Sequence, residues 1–209
     1  MNASSEPAPI ASFGCSVPGW VGEELRAFPA RLTSDAQKVQ LVNRLAELNW
    51  RDGGGGPFAA LVVGRETGQV VAAGVNRVLA SGLSVAHAEV VALSLAQVER
   101  GQWDLGAAGS EPTELVVNWR TCVQCYGAAM WSGITRLVLA GHGDEVEELT
   151  GFDEGPMPED WIGKFEERGI EVVPEVDRLS ALAVFEDYRA AKEAGEVVVY
   201  NARGTGTNV

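Results

Sequence analysis

The sequence predicts an α/β sandwich, a sheet with helices packed on its faces. Two observations carry that expectation. Segments with helical spacing of apolar residues alternate with short, near-continuous apolar runs of strand length, in the order helix, two strands, then helix and strand in turn. The chain of 209 residues, 46% of them hydrophobic, is long enough to bury a full core and short enough for one domain. No internal repeat interrupts this order.

Residues 1–32 are rich in Pro, Ser and Gly, and Pro7, Pro9, Pro18 and Pro29 prevent any long helix there. They are read as an N-terminal extension, partly ordered at best, ahead of a domain at 33–195. Ser34 or Thr33 is a suitable N-cap for a helix over Asp35 to Trp50, where Val39, Val42, Leu45 and Ala46 recur near helical spacing. Gly53 to Gly56 ends it. This glycine run lacks the G-K-[ST] ending of a phosphate loop and precedes a strand, so a flexible turn is expected.

Phe58 to Val63 reads as a strand covered on both faces, and the turn Gly64 to Gly68 returns the chain through Gln69 to Val75 as an antiparallel hairpin. His87 to Arg100, with Val90, Val91, Leu93, Leu95, Ala96 and Val98, reads as a mostly buried helix. Glu114 to Asn118 is a short strand, Cys122 to Ser132 a close-packed helix and Arg136 to Ala140 another buried strand. An acidic, Pro-interrupted segment follows from Asp144 to Asp160. A helix from near Glu159 to Gly169, a strand at Ile170 to Val173 and a helix over Leu179 to Ala194 complete the domain. Residues 196–209 form a C-terminal tail, mobile from Gly204 to Val209.

The formal net charge of -13, from 29 acidic against 16 basic residues, opposes binding to a phosphate backbone, so no nucleic acid polymer is expected as a partner. No apolar run approaches the roughly 20 residues that span a bilayer, and no membrane association is expected. Three cysteines make no disulfide framework, and no secretory leader pattern opens the chain, so a cytoplasmic location is expected. Cys15 is a lone thiol.

Cys122 and Cys125 stand three apart at the start of a helix, where the N-terminus lowers thiol pKa. Taken alone the pair is a metal grip, a redox dithiol or two small core residues. Upstream, His87-Ala88-Glu89 opens another helix with an imidazole and a carboxylate. Two Cys and one His offer Zn²⁺ three ligands and leave a position for water, the pattern of a catalytic zinc site. A structural site would need a fourth ligand, for which His142 is the candidate, although a His between glycines reads more readily as a solvated loop residue. Two thiolates and a neutral imidazole balance the charge of the ion and suit a neutral heterocycle. Glu89 then has the task of moving protons during hydrolytic deamination.

H-x-E followed by P-C-x-x-C is the signature of the zinc nucleobase deaminases, and His87-Ala88-Glu89 with Cys122-Val123-Gln124-Cys125 resembles its two half-sites. Within the superfamily of cytidine, tRNA adenosine and guanine deaminases, the chain is most similar to bacterial guanine deaminases, over about Leu45 to Phe152. Gly56-Pro57-Phe58-Ala59-Ala60 resembles their G-P-F-G-A, Gly74-Val75-Asn76 their G-x-N, and Ala86-His87-Ala88-Glu89-Val90 their A-H-A-E-V. Cys125-Tyr126-Gly127-Ala128-Ala129-Met130-Trp131 is similar to C-L-G-A-I-Y-W, and Gly151-Phe152-Asp153-Glu154 to G-F-D-D.

The resemblance implies a cytidine-deaminase-like three-layer α/β/α sandwich with a five-stranded mixed sheet, usually dimeric, and deamination of a purine-type base, guanine first, to xanthine and ammonia. It gives Glu89 the catalytic role and His87, Cys122 and Cys125 the zinc. It also implies that Asn76 bonds the base, Phe58 stacks near it, the backbone N–H of Ala88 contacts it, and Glu154 reads its edge. The C-terminal tail of such enzymes can cover a neighbouring active site, which makes Tyr200 a candidate lid.

Thr121 stands where the family has Pro, Trp119-Arg120 replace smaller or acidic residues, and Glu154 is one methylene longer than Asp. These departures keep open another amino-heterocycle, such as cytosine, cytidine or an aminotriazine. A non-catalytic zinc-stabilised binding protein is a further alternative. Trp119 and Arg120 either reshape the cleft or pack and pair with a surface acid, and Trp103, Trp161 and Tyr188 are read as packing or dimer-contact residues.

Overall fold

A computed structural model of the chain describes residues 12–201; Pro7, Pro9 and the tail end from Gly204 to Val209 lie outside the described residues. Five strands form one sheet in the order β2-β1-β3-β4-β5. β1 (Ala59–Gly64) pairs antiparallel with β2 (Val70–Val75) and with β3 (Thr113–Val117). β4 (Arg136–Leu139) and β5 (Glu171–Val173) continue from β3 in parallel. The near-continuous apolarity of the inner strands follows from burial on both faces. Ala59, Leu61, Val63, Val116 and Val138 face one layer, while Ala60, Val62, Leu115, Leu137 and Leu139 face the other. This is the expected three-layer sandwich.

The first layer holds α1 (Gly19–Ala27), α2 (Asp35–Arg51) and α8 (Arg178–Glu193), with α6 (Glu145–Thr150) beside α8. The second holds α4 (Ala88–Arg100), α5 (Val123–Trp131) and α7 (Trp161–Glu166). A single-turn α3 (Val78–Ser81) links β2 to α4. α2 starts where Ser34 and Gln37 cap each other: Gln37 N donates to Ser34 Oγ at 3.3 Å, and Gln37 Oε1 accepts from the backbone N–H of Ser34 at 3.3 Å. Gly74 lets α4 lie directly on β2, since a Cβ there would run into the backbone of Ala88 and Ala92.

Three segments differ from expectation. Residues 19–27, expected to carry little order, form α1 between Pro18 as N-cap and Pro29 just beyond its end; Val21 and Leu32 are buried in the same core as α2. Here prolines bound a helix instead of excluding it. The glycine run is no flexible turn: Gly54, Gly55 and Gly56 are buried, and a Cβ on Gly55 would overlap Asn76 at about 2.5 Å. The acidic stretch after Asp144 also contains α6, whose six residues carry too few apolar positions for a readable period.

The amino ends of β3, β4 and β5 carry a row of charges set in register, Glu114 opposite Arg136 and Arg136 opposite Glu171. Arg136 Nη1 donates to Glu114 Oε2 at 2.7 Å and Nη2 to Asp35 Oδ2 at 2.7 Å, while Lys38 Nζ lies 2.5 Å from Glu114 Oε1. Glu114 is 1% exposed. Glu114→Ala would leave two cations facing a buried void, so a loss of about 3 kcal/mol is expected in urea unfolding. A change under about 1 kcal/mol would contradict this.

Hydrogen bonds from Arg136 hold the Asp35 carboxyl down to about 2, against the opposing effect of its burial, and Lys38 assists. A carboxyl lowered in the folded state stabilises above its unfolded pKa near 3.8 and loses that contribution as pH falls through about 2. The urea midpoint is therefore expected to drop between about pH 4 and pH 2, with a shallower drop in Arg136→Met.

Candidate active site

His87 is the N-cap of α4 and Cys122 the N-cap of α5, so the two helices point their amino ends at one spot. Cys125 lies in the first turn of α5. One ligand atom each from His87, Cys122 and Cys125 fall within 4.8 Å of one another, and Cys122 Sγ is 3.4 Å from His87 Nδ1. An S···N edge of roughly 3.5 Å is what a tetrahedral zinc with bonds of about 2.3 and 2.0 Å requires. The three side chains therefore fit the ion. All three cysteines are free thiols.

The electrostatics favour a cation. Hydrogen bonds from Cys125 and His87 outweigh burial and bring the Cys122 thiol down to about 4. Cys125 is pushed well up by burial and by its bond with Cys122. Burial disfavours the charged His87 imidazole, yet its bond with Cys122 and the nearby negative charge raise it. A lone pair of buried thiols would share one negative charge; a bound cation stabilises two. His142 is not part of this group. Its imidazole lies 3.9 Å from Glu175 and stacks edge-on against Trp161.

Glu89 sits in the first turn of α4, 6% exposed. Burial first, and the charge on Cys122 next, raise its carboxyl to about 7, while His87, its own backbone N–H and the Cys125 thiol oppose the rise. Glu89, His87 and Cys122 line a cavity of about 820 Å³ whose other walls include Phe58, Asn76, Trp119, Arg120, Glu154 and Tyr200. This volume suits a small heterocycle with room around it. Glu154 is buried in that wall, and its carboxyl is pushed well up by desolvation, then by Cys122, Glu89 and Glu147, with Arg120 opposing.

Of the residues singled out from sequence, Phe58, Asn76, Glu89, His87, Cys122 and Glu154 meet at this cavity. Cys125 lies behind it in the ligand group. Ala88 is fully buried toward the sheet and is not among the lining residues; as the first residue of α4 its N–H has no acceptor within the helix. Trp119 lines the cavity and also packs: it is 1% exposed, edge-on to Phe185 at 5.3 Å, and its Nε1 donates to Gly143 O. Arg120 pairs loosely with Asp144 at 3.7 Å. Trp161 and Tyr188 pack in the core, whereas Trp103 is exposed.

Sequence reasoning missed two asparagines that build the site. Asn118 Oδ1 accepts from Ala59 N and its Nδ2 donates to Pro57 O, closing β3 onto the start of β1. Asn49 Nδ2 donates to both Gly56 O at 2.9 Å and Asn76 O at 3.0 Å. An Asn at the end of an apolar helix stripe was the signal available for Asn49.

Residues 32–141 match the family described as the cytidine and deoxycytidylate deaminase zinc-binding region. Guanine deaminase of Bacillus subtilis (strain 168) is 29% identical over 141 residues, covering 66% of this chain and 85% of that one. The structure of guanine deaminase from Nitrosomonas europaea superposes with a TM-score of 0.81 at 39% identity, covering 88% of this chain and 100% of that one. A structure determined in complex with 2,6-diaminopurine is similar with a TM-score of 0.81 at 40% identity, over 92% of this chain and 98% of that one.

Proposed function

Because the chain belongs to the cytidine and deoxycytidylate deaminase family, we propose that it is a zinc-dependent deaminase of guanine, converting guanine and water to xanthine and ammonia. The observation that carries this is the meeting of a His-Cys-Cys ligand group with the buried Glu89 in one cavity. Its likeness to the two guanine deaminases supports the choice of base.

His87, Cys122 and Cys125 would hold the zinc, which when bound supplies a Lewis acid that acidifies water and steadies developing negative charge. Glu89 takes the proton of the attacking water and passes it to a ring nitrogen as the water oxygen bonds to the carbon bearing the amine. Glu89 then takes the proton of the newly bonded hydroxyl and gives it to that amine, so that the C–O bond becomes a carbonyl as the C–N bond breaks and ammonia leaves. Burial suits Glu89 to this work, since a carboxyl near neutrality both accepts and returns a proton.

Glu154 reads donors on the edge of the base, and Phe58 packs against it. Removing the carboxylate's match leaves donors on the base unpaired, so Glu154→Gln is expected to lower kcat/KM for guanine by on the order of 30-fold, with zinc content unchanged. An unchanged value would remove Glu154 from recognition. The direct test of the whole reading is zinc-loaded protein with guanine, followed for equal amounts of xanthine and ammonia. Absence of both would reject it.

A homodimer is the assembly this reading carries, supported by Val98, Trp103 and Trp131 exposed on or beside α4 and α5. A cytoplasmic location is supported by two neighbouring thiol ligands that an oxidising compartment would pair.

A further inference from the structure

We propose that Tyr200 is a positioning residue that fixes the side-chain amide of Asn76 with its NH₂ group toward the bound base. The polarity of the hydrogen bonds leaves one arrangement. Val78 N–H, which can only donate, points at Asn76 Oδ1 at 3.2 Å, so the amide atom on that side is the oxygen. Gly56 N–H donates to the Tyr200 hydroxyl at 2.8 Å, and the hydroxyl therefore spends its own proton on Asn76 Oδ1 at 2.5 Å.

Both lone pairs of Asn76 Oδ1 are then occupied, and Nδ2 is the atom left for the cavity that Asn76 lines. Asn49 holds the same two residues from the other side through their carbonyls, so Gly56 and Asn76 cannot separate. The Tyr200 ring is seated edge-on against Phe152 at 4.9 Å, and Asn201 anchors the segment by donating to Gly151 O and accepting from Asp153 N. A donor held this way selects a base that offers an acceptor there.

The inference rests on guanine as the substrate, and Tyr200→Phe tests it because the ring and its packing remain. Guanine is compared with 2,6-diaminopurine, which exchanges the 6-oxo acceptor for a donor, and with 7-deazaguanine, which lacks the N7 acceptor. Loss of one neutral hydrogen bond is expected to contract the preference for guanine over at least one analogue by about fivefold. A merely structural loss would lower all three equally, and two unchanged ratios would overturn the proposal.

The side-chain amide resonances of Asn76 in ¹⁵N-labelled protein give a readout free of turnover. One sharp pair is expected for the parent chain, and broadening or doubling for Tyr200→Phe. If the parent chain releases no ammonia from guanine, the guanine reading fails on that result. The positioning role then stands or falls on whether the amide pair broadens or is unchanged.

Discussion

Glu89→Gln is expected to lower ammonia release from guanine by about 10³-fold while leaving bound zinc and folding intact. The amide has the size of the carboxyl and keeps its place at the first turn of α4, but it can neither accept a proton from water nor return one to the departing amine. Glu89 is almost fully enclosed, so bulk buffer does not readily substitute for it. The measurement is single-turnover ammonia release with metal content assayed on the same sample. Retention of more than about a tenth of the activity would assign the proton transfers to another group.

Cys125→Ala is expected to abolish zinc binding at stoichiometric concentrations and turnover with it. Two ligands, His87 and Cys122, remain, and a site with one thiolate fewer neither balances the ion's charge nor completes three corners of its tetrahedron. If free zinc is held at a thousandfold above its dissociation constant from the parent chain, the metal adds about 4 kcal/mol to folding, roughly 10 °C in melting temperature for a chain of this size. The variant is expected to melt near the chelator-treated parent and to ignore added zinc. Full zinc occupancy in Cys125→Ala would dissolve the ligand assignment.

What the sequence disclosed was whatever depends on local pattern or on chemically unusual residues. The five strands and the long helices announce themselves through apolar spacing, with boundaries set by side-chain caps such as Ser34. His87, Glu89, Cys122 and Cys125 stand out because few other roles explain an imidazole, a carboxylate and two thiols at helix starts. α1, α3 and α6 were hidden for a physical reason: they span at most nine residues and draw their stability from packing rather than from their own periodicity.

The hydrogen bonds around Asn76 were hidden more deeply. Tyr200 lies 124 residues from Asn76 in the chain and 144 from Gly56, and Asn49 reaches its partners from a different layer. Nothing near Tyr200 in sequence marks its bond to Asn76, and at Asn49 the sole mark is a polar residue ending an apolar stripe. Trp119 illustrates the same limit, since its position beside Arg120 and Cys122 speaks of the cleft while its ring is committed to Phe185.

The charge row of Glu114, Arg136 and Glu171 occupies the amino ends of the parallel strands, whereas Asn118, Cys122 and the cavity follow the carboxyl end of β3. Rigidity and chemistry are thus anchored at opposite poles of one sheet. Heritable change in what the enzyme accepts can accumulate in the loops at one pole without eroding the frame fastened at the other. A directed-evolution library confined to those loops therefore starts from a scaffold whose resistance to unfolding is largely insulated from the selection.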